Sequence, residues 1–358
     1  MRQTASARLL AAGAALLLAA CGGGPTTPAK PDPGTQCTFY NPVALGADPW
    51  VVRDGGWYYL IQSRDDALWV SRSEKLTEVH RSPVRVWAAP DTGWNRSNLW
   101  APELHRIGER WYVYYAAGRA GPPYIHQRSG VLESVGGDPM GPYVDRGMLD
   151  TGDEIASLAE NRWAIDVNVA RIGGELYAVW SGWEREASTD RTPQHLYIAR
   201  MSNPWTIGTA RVRISSPTEG WERGTELDLQ EGPTFLQRGG ETFIVYSTRE
   251  SWLPAYRLGL LRLAPGADPL DPASWTKSGP VFAGTDAVHG AGHASFTVSP
   301  DGTEDWVVYH SKTSAAPGWD RTIRMQRFAW NPDGSPSFGT PAPPGQPLAA
   351  PSGECRPD

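Results

Sequence analysis

Short runs that alternate aromatic with aliphatic residues, each entered through a glycine turn, recur five times along the chain. They read GGWYYLIQS from Gly55, GERWYVYYAAG from Gly108, GGELYAVWSG from Gly173, GGETFIVYST from Gly239 and GTEDWVVYHSK from Gly302. With Tyr58, Tyr112, Tyr177, Phe243 and Trp306 aligned, the spacings are 54, 65, 66 and 63 residues. A period of two marks a strand, and glycine permits the tight turn that opens it. Each copy is preceded by a partner run: GADPWVV, NLWAPELHRI, AIDVNVARI, EGPTFLQ or GHASFTVS. These lie 10 to 13 residues upstream of the aromatic position, the length of one strand plus a hairpin. Further apolar runs, such as ALWVSRS, HLYIARM and RLGLLRL, fill the intervals. Five units of about four strands each predict an all-β fold, a five-bladed β-propeller.

Composition agrees with many short strands. The 358 residues include 17 tryptophans, 39 glycines and 32 prolines, but only 5 methionines. The formal net charge of −6 comes with no basic stripe, which argues against a nucleic-acid partner. Residues 1–20 combine Arg2 and Arg8 with an apolar run too short to span a bilayer, and read as a signal peptide. The ending LLAAC resembles a bacterial lipobox, which would make Cys21 a lipidated residue and the protein a membrane-anchored exported lipoprotein. Residues 21–36 then form the lipidated cysteine and a flexible tether, and residues 37–358 the propeller. Export permits a disulfide, and a ring that joins its two ends would bring Cys37 to Cys355.

In a propeller the first strand of each blade lines the central channel. One residue per blade near the start of those strands gives Asp48, Trp100, Asp166, Glu231 and His293. Three carboxylates, an indole and an imidazole would meet at one mouth as a single asymmetric set, whereas a lectin propeller would repeat one set in every blade. Each acid has a rival. Asp48 before Pro49 also suits a turn, Asp166 competes with Asp153, Glu154 and Glu160, and Glu231 competes with Glu226 and Asp228. A tryptophan facing the mouth suits stacking on a sugar ring, which is the role read for Trp100.

The motifs GADPWVV, NLWAPELHRIGERWYVYY, AID, EGP and GHASFT, with the closing run RTIRMQRFAWNPDGSPSFGTP, resemble the successive blade motifs of glycoside hydrolase family 43. The arabinofuranosidase and arabinanase branch fits best. The resemblance covers about residues 40–342, and departs from the family where Val167 follows Asp166. It implies that Asp48 is the general base, Glu231 the general acid and Asp166 the group that orients and tunes that acid. An inverting glycosidase needs one ionised and one protonated carboxyl, and a neighbouring like charge raises the acid's pKa. The resemblance also places Glu103 behind the site, His293 beside an ion (calcium or sodium) and Arg324 at the substrate pocket, with no organic cofactor. It implies a monomeric, exo-acting α-L-arabinofuranosidase working on plant cell-wall polysaccharide. A β-xylosidase, an endo-α-1,5-L-arabinanase and a non-catalytic carbohydrate-binding propeller stay open as alternatives.

Overall fold

The computed structural model describes residues 37–355, so the leader, Cys21 and the tether lie outside the described residues. Five antiparallel sheets make five blades. Blade I holds Trp50–Asp54, Trp57–Arg64, Ala67–Ser73 and Val84–Ala88, and blade II holds Ser97–Ile107, Arg110–Gly118, Arg128–Ser134 and Tyr143–Met148. Blade III holds Ala164–Ile172, Glu175–Gly182, His195–Asn203 and Val212–Ser215, with Thr206–Ile207 as an extra edge. Blade IV holds Gln230–Arg238, Glu241–Thr248, Arg257–Leu263 and Trp275–Ala283. The expected five-bladed ring is what forms, and the aligned aromatics all fall in second strands.

The hairpins into those second strands use the glycines as expected. Gly55–Gly56, Gly173–Gly174 and Gly239–Gly240 all have positive φ at both positions, which suits a two-residue hairpin and strains any other residue. Second strands are buried on both faces because each packs between two neighbours. In Trp57–Arg64, Tyr58 and Leu60 join the core shared with blade V, while Tyr59 and Ile61 join the core shared with blade II. The pattern repeats around the ring, giving one apolar cluster at each of the five interfaces between blades.

Blade V closes the ring from both ends of the chain. His289–Val298, Asp305–Lys312 and Arg321–Trp330 supply three strands, and the N-terminal Ala44–Leu45 supplies the fourth by pairing with Ile323 and Thr322. Thr38–Tyr40 pairs with Pro347–Ala349 outside it, and Cys37 is bonded to Cys355 with Cα atoms 5.9 Å apart. The disulfide expected from the sequence is present.

A second closure lies inside the channel. Trp50, Glu103, Asn168, Thr234 and Ser295 occupy equivalent inner-strand positions, and their polar atoms bridge every pair of neighbouring blades. Trp50 Nε1 donates to the Leu104 carbonyl at 2.8 Å, and Asn168 Nδ2 donates to Glu103 Oε2 at 2.7 Å. Asn168 Oδ1 accepts the Phe235 N–H at 2.9 Å, Thr234 Oγ1 donates to the Ala294 carbonyl at 2.8 Å, and Ser295 Oγ donates to the Pro49 carbonyl at 2.8 Å. Buried polar groups of this kind cost little only when paired, and here their pairing holds the ring together.

Candidate active site

Two residues above that belt, each inner strand contains a residue in the left-handed region: Asp48 at φ 47°, Ala101 at 39°, Asp166 at 57°, Gly232 at 53° and His293 at 49°. In blades II to V the strand register slips at the same place, between Trp100 and Glu103, Ile165 and Asn168, Glu231 and Thr234, and Gly292 and Ser295. The bulge re-aims two consecutive side chains at the mouth. Structural equivalence therefore corrects the register read from the sequence. Asp48, Asp166 and His293 share the left-handed position, whereas Trp100 and Glu231 stand one residue earlier in their blades. A left-handed non-glycine residue costs about 1–3 kcal/mol, and four of the five blades carry one here.

Side chains catch the amides that the bulges expose. The Gly232 N–H donates to Asp166 Oδ2 at 2.9 Å, and the His293 N–H to Ser247 Oγ at 2.8 Å. His310 Nδ1 lies 3.2 Å from the Asp48 backbone nitrogen and 3.1 Å from Asp48 Oδ1. Asp166 thus holds the peptide that follows Glu231, a direct means of orienting that residue.

Asp48 and Glu231 have opposite environments. Asp48 Oδ1 lies 3.1 Å from Arg321 Nη1, 3.1 Å from His310 Nδ1 and 3.3 Å from His293 Nδ1. Burial alone would raise the Asp48 pKa, but Arg321 and the two histidines outweigh it and hold the carboxyl well below the usual carboxylate range. Burial pushes His293 down and His310 to about 4, so both rings are neutral at pH 7 and Arg321 is the standing charge. All of these contacts fall on Oδ1, which leaves Oδ2 for a water.

Glu231 is buried and its pKa is pushed up to about 7. Burial is the main cause and the Asp48 charge adds to it, while the hydroxyls of Tyr256 and Ser251 and the charge of Arg321 pull the other way. Asp166 is also pushed well above the usual range, by burial first and then by Glu231 and Asp48. Burial thus does most of what like-charge repulsion was expected to do.

These groups line a cleft of about 590 Å³ that also contains Trp100, Tyr124, Trp163, Trp252 and Trp319. Trp100 meets Tyr124 edge-on at 5.1 Å, and Trp163 stacks flat on Trp183 at 4.6 Å. Over residues 39–336 the chain matches the family model described as Glycosyl hydrolases family 43. This chain belongs to glycosyl hydrolase family 43.

Family 43 relatives make the resemblance more specific. The chain is 35% identical over 331 residues to the extracellular exo-alpha-(1->5)-L-arabinofuranosidase of Streptomyces avermitilis, covering 88% of this chain and 65% of that protein. It is 34% identical over 283 residues to a protein of the same name from Streptomyces chartreusis, covering 76% and 82%. The crystal structure of alpha-L-arabinofuranosidase from Lactobacillus brevis superposes with a TM-score of 0.77 at 31% identity, covering 86% of this chain and 98% of that one. The chain therefore spans about two thirds of the length of the first of these relatives.

One residue of the sequence reading belongs elsewhere. Arg324 is buried away from the cleft, where its Nη2 donates to the Ala342 carbonyl at 2.6 Å. The arginine that lines the cleft is Arg321, three residues earlier and so on the opposite face of the strand. Strand direction holds the clue that was missed. Inner strands begin at the mouth, so second strands end there and third strands begin there. That rule selects His310, near the end of Asp305–Lys312, and Arg321, the first residue of Arg321–Trp330.

The ion expectation meets a poor donor set. Among the described residues no three histidine, cysteine, aspartate or glutamate side chains converge as a cation cage. His293 Nδ1 instead faces Asp48 Oδ1. Calcium takes six to eight oxygen ligands, so these residues do not fit a protein-built site for a hard cation, and no chemical step is routed through one. The family requires no organic cofactor.

Proposed function

We propose that this chain is an exo-acting α-L-arabinofuranosidase that removes terminal arabinofuranose from arabinan or arabinoxylan by single displacement. The reading rests on one contrast above all: at the same mouth, Arg321 and its neighbours hold Asp48 ionised, while burial raises the Glu231 pKa to about 7, so a large share of Glu231 carries a proton near neutral pH. Water gives a proton to Asp48 Oδ2 as its oxygen bonds to the anomeric carbon. The glycosidic bond breaks in the same step, and Glu231 gives its proton to the departing oxygen. Configuration inverts. Asp166 keeps Glu231 aimed through the Gly232 amide, Arg321 keeps Asp48 ionised with the two histidine rings against its Oδ1, and Trp100 stacks on sugar.

A cross-linked rim supports exo action. Arg191 pairs with Glu226 at 2.9 Å and lies 5.0 Å over Trp252, while the Tyr124 N–H reaches Asp190 at 3.4 Å. Initial rates on nitrophenyl α-L-arabinofuranoside and β-D-xyloside, with linear and branched arabinan alongside, test the reading. Arabinose should be the first product, and proton NMR should record its inverted anomer before mutarotation. Dominant release of xylose, early oligosaccharides or a retained anomer would overturn it. The extracellular designation of two relatives supports export, and lipid attachment at Cys21 completes the proposal. Cys21→Ser should then shed the enzyme into the soluble fraction.

A further inference from the structure

Of the 17 tryptophans, Trp319 alone is exposed, at 59%. A large apolar side chain left in water at the mouth of a cleft calls for an occupant. Its placement is also built. The Gly318 N–H donates to the Trp252 carbonyl at 2.9 Å, Lys312 Nζ donates to the Gly318 carbonyl at 2.6 Å, and the Thr313 N–H donates to the Asp320 carbonyl at 3.0 Å. The Trp319 ring packs against Trp252 at 5.1 Å, and Arg191 covers Trp252 in turn. An exposed indole fixed by its own loop, by a second indole and by a guanidinium has little freedom left to lose on binding.

Its position relative to the acid matters. The departing oxygen takes its proton from Glu231, so the rest of the substrate leaves on that side. Ser251 faces Glu231, Trp252 follows it in the chain, and Trp319 leans on Trp252. We infer that Trp319, backed by Trp252, is a stacking platform for the first sugar of the leaving chain, and that it selects oligosaccharides over simple glycosides. This deepens the proposed activity and rests on it.

The test compares α-1,5-arabinotriose with methyl α-L-arabinofuranoside, whose aglycone is too small to reach the platform. In Trp319→Ala the ratio of kcat/KM for triose to methyl glycoside should fall about tenfold, carried by KM, and Trp319→Phe should recover most of it. An unmoved ratio, or equal losses on both substrates, would overturn the platform. A second readout needs no turnover: arabinotriose titrated into Glu231→Gln should shift the indole fluorescence, and the shift should shrink measurably with Trp319→Phe added, the remainder coming from Trp100 and the other indoles of the cleft. If the native enzyme cleaves no arabinofuranoside, the proposed activity fails on its own. The same titration with xylo-oligosaccharide then decides the platform, a Trp319-dependent shift supporting it and none overturning it.

Discussion

Two layers of the inner strands, only two residues apart, are put to opposite uses. The upper layer carries Asp48, Asp166 and His293 in left-handed geometry, with Trp100 and Glu231 beside them. Charges there are crowded and titrations are displaced. The lower layer carries Trp50, Glu103, Asn168, Thr234 and Ser295, and its hydrogen bonds tie blade to blade. The repeat gives every blade the same two positions, and the chain spends one on reactivity and the other on closure. What separates the layers is where the polar groups are aimed, into the cleft or across to the next blade, and not burial, because Asp166 and Asn168 are both buried.

The sharpest way to break the comparison is to truncate both layers. Asp48→Ala should lower kcat/KM about a thousandfold or more on every substrate while the melting temperature holds. Glu231→Ala should lose as much on natural arabinan but recover on nitrophenyl glycosides, whose leaving groups need little protonation. Equal losses on both substrate types for both variants would dissolve the assignment of base and acid.

Closure should respond in stability instead. Replacing Cys37 and Cys355 with serine removes a link across 318 residues, worth up to about 6 kcal/mol in the chain-entropy model. Denaturant unfolding would measure it, with kcat expected to stay. Asn168→Ala strips partners from both Glu103 and the Phe235 amide and should cost about 1–3 kcal/mol in the same experiment. A loss of activity without a loss of stability would move Asn168 into the reactive layer.

The smallest effects sharpen the upper layer. With Glu231 as the proposed acid, kcat/KM should fall as pH rises through about 7. Its acid limb should lie near 4, where His310 takes up a second proton beside Asp48. The Ser251 hydroxyl favours the ionised form of Glu231, so Ser251→Ala should raise that pKa and move the alkaline limb up by roughly a few tenths of a unit. A downward shift would contradict the assigned contact.

Sequence carried the ring well and the mouth unevenly. Glycine turns and period-two alternation are local properties, so the five second strands were legible from Tyr58 to Trp306. The offset that places Glu231 one residue before the equivalent of Asp166 comes from a bulge, and a bulge changes register without changing composition. Arg321 was mistaken for Arg324 because an arginine-rich strand start offers both, and only counting from the mouth separates the faces. Trp252, Trp319 and Arg191 lie on loops, whose positions depend on partners in other blades and follow no period.

The shared construction of blade V has a consequence in time. Asp48 lies 262 residues before His310 and 273 before Arg321, the two groups that hold it at 3.1 Å. A ribosome adding about 5–20 residues per second needs roughly ten to fifty seconds to span that interval. Throughout that delay the nascent chain holds Asp48, the proposed base, with nothing to aim it, and Ala44–Leu45 waits unpaired for Ile323 and Thr322. On the proposed roles, hydrolysis waits for the last blade, so activity itself reports that the ring has closed.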